Sequence, residues 1–407
     1  MAGPLKGIRV LELGVWHVGP PIGYILGDLG AEVIKIERPE GGDTTRTMSP
    51  FWFEAINRSK RSVALDLKQA RGREVFYRLV KKADVFFTNF PDSLLERLGA
   101  QYDAVASHND RLVYASVSAF GHRGPERERR AYEALIQART GFSVSLAGGP
   151  NSEPRVIEGG VFDQTAATVM VYGILAALVA RERTGNGQKV EGSLLGGAIH
   201  LLHGAVNQAL WRGDPSLSLP RGERSPLDPE VSRKEAENPL YNWYRCSDDR
   251  WIMFCEPDSD RFWGEFCRCI GAPHLAEEER YSDVRARTAN PRRLIATLDE
   301  VFAGKSLAQW LETFREEGMS LAYSPVNSTE ELSGDVQALE NQYIAEMEHP
   351  KRGRIKTAGI PLRFSDTPAS VSLAAPELGQ HTDQVLAEVA GMNQEEIDRL
   401  REEGVLR

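Results

Sequence analysis

Cysteine is scarce in this chain: four residues in 407, all between positions 246 and 269. Cys267-Arg268-Cys269 is the closest pair and no second paired cluster follows it, so the pattern does not build a structural zinc site. Histidine is also sparse. His200 and His203 stand three apart on a predicted helix, but no nearby carboxylate completes a ligand set, and they read as buried or capping residues. Positive charge is outnumbered, 49 Lys and Arg against 58 Asp and Glu, for a net charge of −9. Such a balance argues against sequence-independent nucleic-acid binding. The opening MAGPLKGIRVLELG has no apolar signal core, so reduced thiols and a cytoplasmic location are expected. One long apolar run exists, Ala166 to Ala180; at about 15 residues it falls short of the roughly 20 that cross a bilayer, so no membrane is expected.

Two nucleotide signatures are missing as well. Gly14 to Gly19 does not spell G-x-G-x-x-G, and Pro20-Pro21 stands where a third glycine belongs, although Glu37 lies about where a ribose-binding acid would fall. No G-x-x-x-x-G-K-[ST] occurs, so nothing suggests ATP-driven thioester synthesis.

What is present is an alternation of strands and helices. Strands are predicted at Gly7–Gly14, Ala31–Glu37, Val63–Leu67, Val85–Thr88 and Leu112–Ser118. Helices are predicted at Pro20–Leu29, Ala70–Lys82, Ser93–Leu98 and Tyr102–His108. This order implies an α/β fold with a large, Rossmann-like parallel-sheet domain covered on both faces. Ligands on such sheets bind beyond the C-terminal strand ends, which directs attention to the segments after each strand. Length alone makes two domains the default. We expect a large domain over 1–211, a linker over 212–240, a smaller α+β domain over 241–321, and a return to the large domain over 322–407.

The chain is organised around Val161 to Leu195. A helix there has no consistent polar face and is expected to be buried. Asp163 opens it, where the helix dipole and unpaired N–H groups favour an ionised carboxylate. Such a residue is either a plain N-cap or, if held and partly desolvated, a carboxylate nucleophile. Arg38, Lys68, Arg97 and Arg130 follow successive strands and are either solvated surface charges or phosphate contacts.

The D-Q-x-x-A…GILAAL-x-A-R-x-R-TG-x-GQ-x-V-x-x-SL run is similar to the signature segment of family III CoA-transferases, the group containing formyl-CoA:oxalate, carnitine and bile-acid CoA-transferases. L-E-L-G-x-x-x-x-G-P, G-D-L-G-A-E-V-I-K-I-E-R-P, N-R-S-K-R-S-V-A-L-D-L-K, K-K-A-D-V-F-F-T-N-F and P-x-L-G-x-H-T resemble the family's other motifs, so the likeness spans nearly the whole chain and is weakest from Arg212 to Arg280. It implies that Asp163 is the catalytic nucleophile. It carries the CoA contacts onto His17, Val18, Arg38, Leu65, Lys68, Asn89, Phe90, Arg97 and Arg130. Coenzyme A and its esters are then substrates, small carboxylic acids are the acceptors, and no cofactor is bound permanently. An intertwined homodimer is implied, with a hetero-oligomer of homologous subunits as the variant of it. His17 departs from the glutamine of the oxalate-using members, which points to an acyl group larger than oxalate.

Two other readings remain open at the sequence level. Related α-methylacyl-CoA racemases use a histidine where Tyr132 stands, and unperturbed tyrosine is a poor base at neutral pH. A non-catalytic CoA-ester-binding subunit is the second, against which the presence of Asp163 argues. The oxalate-using members also carry a glycine-rich loop over the nucleophile; the matching point here, Cys255 to Ser259, has none. For the oxyanions of acyl transfer, the Gly14–Gly19 loop and the Asp163 helix start are the candidate N–H donors. In the second half, strands at Pro239–Arg245 and Trp251–Cys255 and helices at Asp260–Cys269, Pro291–Ala303 and Ser306–Glu317 are predicted. Trp243, Tyr244, Trp251, Phe254, Phe262 and Trp263 are either core or part of an acyl pocket.

Overall fold

A computed structural model describes residues 3–147, 151–211, 232–371 and 373–407. It divides into two compact units. The first takes Met1–Phe142, Val156–Arg212 and Ser333–Arg407; the second holds the described residues within Ser143–Arg155 and Gly213–Leu332. Most of the predicted linker lies outside the described residues.

The first unit is built on six strands: β1 (Arg9–Leu13), β2 (Glu32–Glu37), β3 (Lys60–Ala64), β4 (Val85–Thr88), β5 (Val113–Ser118) and β6 (Lys189–Ser193). They lie in the order β3-β2-β1-β4-β5-β6, and every neighbouring pair is parallel. Apolar side chains alternate between two cores, as the two-residue pleat requires. Leu11, Ile34 and Phe86 face one core with Phe76 and Tyr114. Val10, Val33 and Phe87 face the other with Ile22, Phe162 and Ile174. The strand order reverses between β1 and β4, and the crevice beyond that reversal is where sheets of this kind receive ligands.

Three sequence expectations shift. β3 begins at Lys60 rather than Val63, because Lys60 and Ser62 are buried polar residues on the strand. β6 was hidden in the polar KVEGS run and is the outer strand of the sheet. The Asp163 helix runs Val161–Thr184, 24 residues rather than about 15, so length no longer separates it from a bilayer span. Its packing does: it lies on β5, β6 and the helices Gly19–Asp28 and Leu194–Leu201, and Asp163 and Arg181 are both buried in the protein. Arg181 donates to Asp84 at 3.0 Å. Gly185, in the left-handed region at φ 79°, ends the helix and donates to the Arg181 carbonyl.

The second unit pairs β7 (Trp243–Arg245), β8 (Trp251–Phe254) and β9 (Tyr323–Pro325) antiparallel. Helices Ser259–Cys269, Pro291–Phe302 and Leu307–Glu316 pack on it. Tyr244, Phe254 and Trp263 are buried in its core and Phe262 packs against that core. The Glu256-Pro257-Asp258 acids are used locally: Glu256 accepts from the Asp258 N–H, and Asp258 caps the following helix by accepting from Arg261 N–H. The first unit also holds a hairpin, β10 (Ile344–His349) with β11 (Gly353–Ala358). His381 is a structural contact, its Nδ1 accepting from the Ser62 N–H at 3.2 Å.

Candidate functional site

The loop between β1 and the helix Gly19–Asp28 forms one wall of the crevice. Asn89, just past β4, fixes it by accepting from Val15 N–H at 3.0 Å and donating to the Val15 carbonyl at 2.8 Å. Gly19 is needed here, because a Cβ would stand 2.9 Å from Asn89 Oδ1. Asn89 therefore acts on the loop itself. Trp16 adopts φ 61°, an uncommon conformation for a bulky residue, and its N–H reaches Asp43 Oδ1 at 3.4 Å. The turn delivers His17 to Asp163, with His17 Nδ1 at 3.9 Å from Asp163 Oδ2. Burial holds His17 below its ordinary pKa, against the opposing pull of Glu133 and Asp43, so the ring is neutral at pH 7. At that distance the pair is neither a hydrogen bond nor an ion pair.

Asp163 is not the N-cap. Gly160, in the left-handed region at φ 71°, holds that position and Asp163 is the third helical residue. Two of the N–H groups of the helix start are taken by Glu133, whose Oε1 accepts from Phe162 N–H and Oε2 from Asp163 N–H, each at 3.2 Å. Glu133 is anchored in turn by Gln137 Nε2 at 3.0 Å. This leaves the Asp163 carboxylate uninvolved in capping and corrects one expectation. Two of the helix-start N–H groups are already occupied, and the carboxylate is not held ionised: burial first, and the Glu133 charge second, push its pKa up to about 7. Among the described residues no side chain or N–H hydrogen-bonds that carboxylate. The His17 and Val18 N–H groups have no partner among the described residues.

Aromatic rings gather on the same side. Trp52 lies 4.8 Å from His17 between ring centres, Phe51 packs on Trp52, and Trp16 meets Tyr132 edge-on at 5.6 Å. Tyr132 is 60% exposed. Sequence reasoning missed Glu133, Asp43, Phe51 and Trp52. Only the fold brings a carboxylate thirty positions away onto a helix start, and no local pattern announces it.

The sequence-derived phosphate contacts are spread along the segments that follow the strands. Arg38, after β2, is exposed and donates to the Gly42 carbonyl at 3.0 Å. Lys68, Arg97 and Arg130 are exposed, following β3, β4 and β5 in the chain. Val18 and Leu65 are buried, and Phe90 packs against the core, so the Leu65 side chain is a packing residue. A separate cleft of about 630 Å³ lies beyond Ala166, lined by Phe120, Arg123, Met170, Tyr172 and Ser193. Asp163 does not line it.

Comparison with known proteins accords with this geometry. Residues 5–382 match the family described as CoA-transferase family III. The chain is 31% identical to a formyl-CoA:oxalate CoA-transferase of Streptomyces coelicolor over 100% of both proteins. It is 30% identical to the human succinyl-CoA:glutarate CoA-transferase, over 99% of this chain and 90% of that one. Among solved structures, a CAIB/BAIF family protein from Brucella suis superposes with a TM-score of 0.80 at 30% identity, covering 96% of this chain and 100% of that one. A parallel sheet with a crevice at its reversal, a signature helix opening on a buried aspartate, and a match over nearly the whole length agree: the chain belongs to CoA-transferase family III.

Proposed function

We propose that the protein moves CoA between an acyl-CoA donor and a free carboxylic acid, with Asp163 as covalent carrier. The observation that carries this reading is the buried Asp163 carboxylate, free of hydrogen bonds among the described residues, facing the loop of His17 at the reversal of the sheet. Desolvation makes a carboxylate a stronger nucleophile once it is ionised, and it excludes water from the reactive acyl intermediates.

In the first step an Asp163 oxygen attacks the thioester carbonyl, the C–S bond breaks, and an acyl-aspartyl anhydride and CoA thiolate result. The thiolate then attacks the aspartyl carbonyl, releasing the donor's carboxylate and leaving an aspartyl-CoA thioester. The acceptor carboxylate attacks that thioester to form a second anhydride and free thiolate. The thiolate takes the acceptor's acyl group and Asp163 is regenerated. Each step exchanges one activated acyl group for another, so no nucleotide is hydrolysed. The free N–H groups of His17 and Val18 are the donors suited to the developing oxyanions. Arg38, Lys68, Arg97 and Arg130 are suited to the CoA phosphates. The Trp16, His17, Phe51, Trp52 and Tyr132 wall favours an acyl group larger than oxalate.

Enzyme quenched mid-turnover and peptide-mapped should carry CoA on Asp163, and Asp163→Ala should bind CoA without transferring it. A CoA adduct elsewhere, or full activity in Asp163→Ala, would sink the mechanism. A neutral histidine beside a carboxylate is also a couple that can move an α-proton. Deuterium uptake from solvent into an acyl-CoA, with no acceptor acid and no CoA adduct, would favour the racemase reading.

The active form we propose is a homodimer. The Asp163 helix has no polar face, yet Tyr172 and Val179 are 53% and 55% exposed in the single chain, and the helix His203–Trp211 buries no residue. A second copy laid on this face would bury it, as an apolar surface of this kind requires. Sedimentation at micromolar concentration should give twice the chain mass; a monomer would refute this.

A further inference from the structure

Beneath the His17 loop lies a cluster of charge that the transfer chemistry does not use. Glu12 on β1, Lys35 on β2 and Lys60 on β3 are each at most 1% exposed. Lys35 Nζ donates to three acceptors: Glu12 Oε1 at 2.8 Å, Asp43 Oδ2 at 3.0 Å and the Gly14 carbonyl at 2.7 Å. Lys60 Nζ stands 2.8 Å from Glu12 Oε2 and donates to the Pro20 carbonyl at 2.8 Å, to Asn57 Oδ1 at 2.9 Å and to the Ile56 carbonyl at 3.2 Å. Gly14 opens the loop and Pro20 lies in the first turn of the helix that closes it. One buried carboxylate thus ties together two ammonium groups, each gripping one end.

The middle of the loop is held through the same cluster. Asp43, bonded to Lys35 through Oδ2, accepts from Trp16 N–H through Oδ1, beside the left-handed turn that presents His17. The helix leaving the loop is seated directly on the cluster. A Cβ on Gly23 would stand 2.1 Å from Glu12 Oε2 and 2.8 Å from Lys60 Cε. Burying this much charge for stability alone is a poor bargain, since packed apolar side chains serve as well. It suits a segment whose backbone must be fixed with little freedom.

We propose that Glu12, Lys35 and Lys60 are positioning residues for CoA transfer, forming a clamp that fixes both ends of the 14–20 loop and so keeps His17 and its neighbouring N–H groups in register with Asp163. This rests on the transferase reading above for its functional half; the structural half stands without it. Around Lys60 the charged neighbours are Glu12, Lys35 and Asp43, and burial outweighs the carboxylates so that its pKa is lowered to about 8, whereas Lys35 is raised by Glu12, Asp43 and Glu37 against the effect of burial.

The test uses the full-length enzyme carrying the charge-balanced pair Glu12→Gln with Lys60→Met, which removes one grip without leaving a lone buried charge. Hydrogen exchange by mass spectrometry should quicken about tenfold or more in residues 14–20 while β1 and β4 stay protected. With that, kcat should fall by about 10- to 100-fold and KM for the CoA ester should change by less than about threefold, the signature of misplaced groups rather than lost binding. If the pair does not fold, Gly23→Ala keeps every charge and presses on the same cluster, and is expected to give the same local exchange. Unchanged exchange in the loop would overturn the clamp whatever the enzyme's activity. Faster exchange with unchanged kcat would overturn its role in transfer. A wild-type protein with no CoA-transfer activity would instead defeat the transferase reading and leave the exchange result to judge the clamp alone.

Discussion

Two buried carboxylate clusters lie on the same wall of the sheet and are treated in opposite ways. Glu12 is surrounded by ammonium groups, and every charge near it has an opposite partner within about 3 Å. Among the described residues Asp163 has only a neutral histidine at 3.9 Å and a second carboxylate, Glu133, bound to its own backbone. Both carboxylates are buried, Glu12 at 0% and Asp163 at 8% exposure, but only Glu12 is paired. The paired cluster is tied together by short ion pairs, while the unpaired carboxylate has its pKa lifted to about 7. Desolvation by itself therefore does not mark a site. Desolvation without compensation does.

Breaking the paired cluster should cost most. Glu12→Gln alone leaves Lys60 without a paired carboxylate and Lys35 with Asp43 only, so unfolding free energy should drop by about 3–5 kcal/mol, read from denaturant midpoints. A loss under about 1 kcal/mol would show that the network is hydrated and contributes little.

Breaking the unpaired cluster should do the reverse. The folded-state pKa of Asp163 is raised from 3.8 to about 7, so the native protein holds a proton that the unfolded chain has released. Stability therefore falls as pH rises from about 4 to about 7, and ionised Asp163 costs up to roughly 4 kcal/mol above that window. Asp163→Asn should abolish transfer and yet raise stability at pH 8 by about 1–4 kcal/mol, with the gain vanishing near pH 4. Equal stability of the two proteins at both pH values would show that Asp163 is not strained.

These two clusters also mark where the sequence could be read and where it could not. The alternation from Gly7 to Ser118 is legible because β1, β2, β4 and β5 are rich in Val, Ile, Leu and Phe and are separated by helix-period segments. The start of β3 is not legible because its first core position is Lys60, a residue type that reads as surface unless its partners are known. β6 escaped for a similar reason, being a polar edge strand. Asp163, His17 and the four cations were visible only through resemblance, since an acid at a helix start reads as a cap. The structure shows why that local reading fails: the capping is done by Glu133, and long-range placement of that kind leaves no trace in spacing.

Glu133→Gln sharpens the comparison at the smallest cost. In the mechanism proposed above ionised Asp163 attacks the thioester, so kcat/KM should rise with pH through an apparent pKa near 7 in the wild type, where an ordinary aspartate would give a flat profile. Removing the Glu133 charge takes away the second cause of the raised value and leaves burial, so the rising limb should move to lower pH. The amide oxygen still accepts one of the two helix N–H groups, and the lost cap should destabilise the protein by only about 1 kcal/mol. Maximal activity should fall about tenfold or less, because the carboxylate is displaced slightly rather than removed. If the limb stays in place while stability falls, Glu133 acts on the helix alone and burial sets the nucleophile's pKa unaided. If it moves, one carboxylate both frees its neighbour from capping and decides the pH at which that neighbour can react.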